Sequence, residues 1–108
     1  MIFYDPKTRQ TKTLFPGVQA RTFWGDKLLL AVVDLEANAV VSAHIHPHEQ
    51  GGIVIQGELE FTVAGETRLL HPGDLYIIPG GVEHVVKVGP KPAQVLDIFA
   101  PVREELKY

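Results

Sequence analysis

Three of the chain's five histidines stand at every second position in "AHIHPHEQGG", residues 43–52. They are His44, His46 and His48, and Gln50 continues the alternation. On an extended strand, residues i and i+2 project to the same face. His44 and His46 can therefore face one interior, about 7 Å apart along the chain. Imidazole nitrogens bind divalent transition ions at roughly 2 Å, so the pair can converge on one ion if the strand curves. Pro47 cannot continue a central ladder. The chain is expected to bend there, which takes His48 and Glu49 out of register and leaves their part in the site open. Gln50 opens the next strand and can return from the side. Another donor, His84, follows the turn "PGG". A His-x-His pair alone is weakly specific, and spacing in two separate segments is what gives it weight.

A second group of reactive residues lies near the C-terminus, in "VLDIFAPVREEL". Asp97 interrupts an otherwise apolar strand. A carboxylate there costs free energy unless it is paired or functional. Val95, Asp97 and Phe99 share one face by alternation. If that face lines the mouth of a barrel, Asp97 is a candidate acid or base. The structural alternative is an Asp bonded to backbone amides or paired with Arg103. Arg21 and Tyr76, on apolar strands, are candidate pocket residues, with surface and core roles as their respective alternatives.

The elements that must hold these groups read as short strands. Turn signals such as "PG" at 16–17, "AGE" at 64–66 and "HPGD" at 71–74 recur at short intervals. Between them the pattern predicts strands at 19–24, 27–35, 40–46, 52–56, 58–64, 67–70, 75–78, 83–88 and 93–100. Short strands separated by turns indicate an all-β sandwich or barrel. In "ELEFTV", Leu59, Phe61 and Val63 share a face opposite Glu58, Glu60 and Thr62, so this strand is half buried. "KLLLAVVDL" and "AQVLDIFA" are apolar on both faces, as strands covered on both sides are. A homodimer is the expected source of part of that cover. Only "PVREELKY" suits a short helical turn, with Pro101 able to start it and Glu104 and Glu105 suited to the first turn.

The 108 residues suit one domain, residues 1–108. Net charge is -3 with no basic run, which argues against nucleic acid. With no cysteine, disulfides and thiolate metal sites are excluded. No apolar run approaches membrane-spanning length, and "MIFYDPKTRQ" lacks the layout of a signal peptide. A cytoplasmic protein without membrane contact is expected.

The two histidine segments together resemble the motifs of the cupins, small barrels of the double-stranded β-helix (jelly-roll) type. The first motif falls on Asn38, His44, His46, Gln50 and Gly57. The second falls on Gly73, Pro79, Gly81, His84 and Val88. Asn38 stands where the family has a turn glycine, and Asn is among the residues that tolerate the left-handed conformation. Val88 replaces an asparagine that is not a ligand in the family. Gln50 replaces the family's glutamate ligand. Its carbonyl oxygen can bind a divalent ion but adds no charge. An ion held by His44, His46, Gln50 and His84 would thus stay cationic and favour a small anionic molecule. Imidazole-rich sites suit Ni, Fe, Zn, Mn or Cu, so the element is left open.

"HIHPHEQ", "HPGDLYIIPGGVEH" and the ending "DIFAPVREEL" are together similar to the cupins of pectin and alginate breakdown. That resemblance implies conversion of 4,5-unsaturated monouronates to linear keto acids. It also implies three histidines and a glutamine as metal ligands, with Asp97, Phe99 and Arg103 taking part in the reaction. Ile53 departs from it, standing where a polar pocket group is expected. Two other functions suit the same residues: an Fe(II)-dependent oxygenase of a small organic acid or thiol, and a non-catalytic sugar- or metabolite-binding module.

Overall fold

The computed structural model describes residues 2–108. Among them, ten strands and two short 3-10 turns account for the regular structure. The strands are β1 (Lys12–Phe15), β2 (Val18–Trp24), β3 (Leu29–Leu35), β4 (Val40–His44), β5 (Glu49–Gln56), β6 (Leu59–Val63), β7 (Glu66–Leu70), β8 (Leu75–Ile78), β9 (His84–Val88) and β10 (Ala93–Ala100). They form a six-stranded sheet in the order β1-β2-β3-β10-β5-β8 and a four-stranded sheet in the order β4-β9-β6-β7. Strand pairs are antiparallel in both. This is the all-β jelly-roll barrel expected from the sequence.

Alternation builds the core. In β3, Leu29, Ala31, Val33 and Leu35 are buried while Leu30, Val32 and Asp34 are not fully covered. β10 buries Ala93, Val95, Asp97 and Phe99 in the same way. Opposite them, β6 buries Leu59 and Phe61, and β9 buries Val86 and Val88. Leu59, Ile78 and Val54 are almost wholly removed from water, each worth roughly 1.5–3 kcal/mol. Among the described residues no helix is long and apolar enough to cross a membrane.

Three differences from the sequence reading have physical causes. β1 was not expected, because "KTLF" is only four residues long and follows a polar run. It is an edge strand held to β2 alone. β4 ends at His44 and not at residue 46, since the bend around Pro47 begins earlier. β5 starts at Glu49 and not at 52, so Gln50 lies inside a paired strand facing Phe99 and Ile78.

The left-handed positions occur where the sequence placed turns. Asn38 has φ 62, the conformation that Asn tolerates in place of glycine. Gly57 has φ +82, and a Cβ there would lie 2.7 Å from the Pro92 carbonyl oxygen, so both backbone and space require glycine. After β10 the tail turns back through a 3-10 turn at Glu104–Leu106. Leu106 is buried, and its carbonyl accepts from the Thr22 hydroxyl at 2.6 Å. This anchor sets where Arg103 lies.

Candidate metal centre

His44, His46 and His84 come together although three different parts of the chain supply them. Their nearest ligand atoms all lie within 4.8 Å of one another. His44 ends β4, His84 begins β9, and the two are register partners. His46 lies in the bend, so strict strand alternation does not place it. Burial does, for its ring packs against Phe99 with centroids 5.7 Å apart. Gln50 comes in from β5, with its Oε1 3.1 Å from His46 Nε2.

Backbone carbonyls orient all three rings. His44 Nδ1 is 2.8 Å from the Ser42 carbonyl oxygen, and His84 Nδ1 is 2.9 Å from that of Val82. His46 Nδ1 is 3.0 Å from the His48 carbonyl oxygen. A carbonyl accepts only, so each Nδ1 carries the proton and each Nε2 presents a lone pair. The Gln50 amide also donates to Asp97, which turns its oxygen toward His46. Two acceptors, Nε2 and Oε1, therefore face each other at 3.1 Å. His84 Nε2 is buried with no hydrogen-bond partner among the described residues. Opposed lone pairs and an orphaned buried nitrogen are what a cation would satisfy. The donor set thus fits a divalent transition ion. The same bond accounts for the glutamine. A glutamate at position 50 would set one carboxylate against another.

Burial, with the positive Arg103 next in weight, holds His46 below the usual imidazole range. Burial does the same to His84, with His44 and Arg103 adding in that direction. Both rings therefore resist protonation and keep their lone pairs available.

Asp97 occupies the inner face of β10, at the centre of the six-stranded sheet. Burial pushes its carboxyl up to about 6, against the opposing effect of the Tyr76 and Gln50 hydrogen bonds and of Arg103. The Tyr76 hydroxyl donates to Asp97 Oδ1 at 2.6 Å. Arg103 lies over the Phe99 ring at 4.8 Å, and its Nε donates to Glu105 at 2.8 Å. His44, Gln50, Tyr76, His84, Asp97, Phe99 and Arg103 all line one cavity of about 70 Å³.

Arg21 does not join them. It shares the outer face of β2 with Gln19 and Phe23, where its guanidinium meets Asp34 at 3.0 Å and its Nε the Arg9 carbonyl at 2.9 Å. The small residues Ala20 and Thr22 take the inner face instead. Asp34 borders a separate shallow depression of about 360 Å³ that shares only Leu35 with the histidine cavity. Ile53 likewise faces outward beside Leu75 and Leu96. His48 contributes its carbonyl to His46 and sets its own ring 5.9 Å from it. Sequence reasoning missed the three backbone carbonyls and Gly52. The carbonyls carry one regularity, in that each lies two residues from the histidine it orients.

The cupin domain family matches residues 31–99. The pectin degradation protein KdgF of Dickeya dadantii (strain 3937) is 30% identical over 105 residues, 95% of this chain and 94% of that protein. The structure of KdgF from Halomonas sp. superposes with a TM-score of 0.90 at 29% identity, covering 97% of both chains. An RmlC-like cupin from Shewanella frigidimarina superposes with a TM-score of 0.92 at 23% identity, covering 99% of this chain and 96% of that one. At that identity the likeness concerns the fold alone.

Proposed function

The chain belongs to the cupin family, and from that premise we propose that it is a metal-dependent enzyme converting 4,5-unsaturated monouronates to their linear keto form. The observation that carries this reading is one cavity lined by metal-type donors, a buried carboxylate and an arginine. The relationship to the pectin degradation protein KdgF supports the substrate class, since pectin is built of uronate units.

The substrate is a cyclic hemiacetal whose ring oxygen is attached to a C=C carbon. Loss of the C1 hydroxyl proton and cleavage of the bond from C1 to the ring oxygen give a C1 aldehyde and a C5 enolate. Protonation at C4 then gives the C5 ketone. No atom is gained or lost overall. One side chain that takes a proton and returns it suffices, and Asp97, near 6, suits both directions at neutral pH. Arg103 can pair with the substrate carboxylate, its guanidinium already oriented by Glu105 and Phe99. His44, His46, His84 and the Gln50 oxygen would hold a divalent transition ion, which when bound would supply Lewis acidity toward a substrate oxygen. The cavity, at about 70 Å³, has room for about two waters. The sugar ring therefore sits across its mouth with only the reacting edge inside.

The test is incubation of the metal-loaded protein with unsaturated galacturonate, following absorbance of the conjugated C=C. A decay that is lost in Asp97→Ala is expected. Absorbance unchanged against buffer overturns the proposal. Binding without turnover would mark a non-catalytic module, and oxygen uptake with Fe(II) an oxygenase.

A further inference from the structure

Tyr76, Gly52 and Asp97 form one row across three neighbouring strands. Gly52 pairs with Tyr76 on β8 and with Asp97 on β10. Adjacent strands are about 4.8 Å apart, so the backbones of Tyr76 and Asp97 stand roughly 10 Å from each other. The Tyr76 hydroxyl nevertheless reaches Asp97 Oδ1 at 2.6 Å. It can do so because its ring lies directly over Gly52. A Cβ at position 52 would fall 2.2 Å from Tyr76 Cζ and 2.3 Å from the hydroxyl oxygen. Gly52 is not among the residues with positive φ. The backbone does not call for glycine there, and the ring does. From the opposite sheet, Phe61 packs on the same ring with centroids 4.5 Å apart.

We propose that Gly52 is the seat of Tyr76, and that Tyr76 is a positioning residue holding the Asp97 carboxylate in its working orientation. The role assigned to Asp97 rests on the function proposed above; the seat itself does not. Tyr76 and Gln50 donate to the carboxylate from β8 and β5. With both in place the carboxylate cannot rotate freely. Removing Tyr76's donor leaves Asp97 buried but loosely aimed, and a misplacement of about 1 Å costs on the order of 100-fold in rate.

Two variants test this. Tyr76→Phe keeps the ring and removes only the donor. Gly52→Ala keeps the hydroxyl but drives the ring from its seat. The first readout is the proton NMR spectrum. The wild type should show a downfield hydroxyl proton from the 2.6 Å bond, and both variants should lack it. The second readout is kinetic, on unsaturated galacturonate. In both variants kcat should fall about 10- to 100-fold, while KM and Zn²⁺ affinity measured by calorimetry stay near wild type. A Gly52→Ala protein that keeps the resonance overturns the seat. A Tyr76→Phe protein with wild-type kcat, or one whose loss lies in KM or in Zn²⁺ affinity, overturns the positioning role. If the wild type turns over no uronate, the proposed function and Tyr76's part in it fail together, and the resonance alone decides the seat.

Discussion

Asp97→Asn should make the metal-free protein more stable at neutral pH while abolishing turnover. Asn keeps the size and the acceptor oxygen for Tyr76 but cannot ionise. In the wild type, burial raises the carboxyl from 3.8 to about 6. That is a shift of about two units, or about 3 kcal/mol between the protonated and charged forms. The folded state therefore holds its proton to a higher pH than the unfolded chain does. As pH rises from about 4 to about 6, the unfolded chain ionises first, and this group's contribution to stability is lost across that window. Above it the loss is complete and constant. His46 and His84 act in the opposite sense. Held below the usual imidazole range, they reduce stability as pH falls. They are present in both proteins, so the difference between wild type and variant isolates Asp97. Urea unfolding of chelator-treated proteins at several pH values from 4 to 7 provides the measurement. The stability difference should move in the variant's favour by about 2 kcal/mol over that range, since the unfolded carboxyl is already partly ionised at pH 4. In a domain of this size that is a Tm change on the order of 10 °C. A difference that stays flat with pH, or that moves against the variant, would refute the reasoning.

Other outcomes follow from the same geometry. Gln50→Glu sets a carboxylate beside Asp97, a repulsion of at most about 4 kcal/mol at an effective dielectric near 20. The metal-free variant should melt lower at pH 8 than at pH 5, and Zn²⁺ should restore more stability to it than to the wild type in scanning calorimetry. His84→Ala should weaken Zn²⁺ binding by on the order of 100-fold or more in titration calorimetry, since even an outer partner of a ligand contributes 10- to 100-fold. Leu75 and Ile77, at 73% and 74% exposure on the outer face of β8, are expected to be covered in a homodimer. Light scattering should then give twice the chain mass, falling to one chain mass in Ile77→Lys.

The fold was legible because its strands alternate and its turns sit on residues that need special backbone. "ELEFTV" showed its inner face directly, whereas "AQVLDIFA", apolar on both faces, left open which side turns inward until the sheet was seen. The grouping of His44, His46 and His84 was legible from two spaced segments, and Asp97 from its incongruity in an apolar strand. Arg21 was misplaced because β2 turns its small residues inward, so side-chain size did not reveal the face. The link from Tyr76 over Gly52 to Asp97 could not be read in advance. It depends on the register of three strands that lie far apart in sequence. Spacing along the chain contains no such information.

The two halves of the site differ in how they are anchored. Asp97 lies mid-strand in β10, hydrogen-bonded on both sides by β3 and β5. His44 and His84 lie at strand ends, and His46 in the bend between β4 and β5. Amide exchange should accordingly be slowest around Asp97 and faster through residues 45–48. An ion held by the histidines could leave and be replaced during a local opening of that bend, with no global unfolding. The chain would then be reloadable, with a renewable ion on a permanent acid frame.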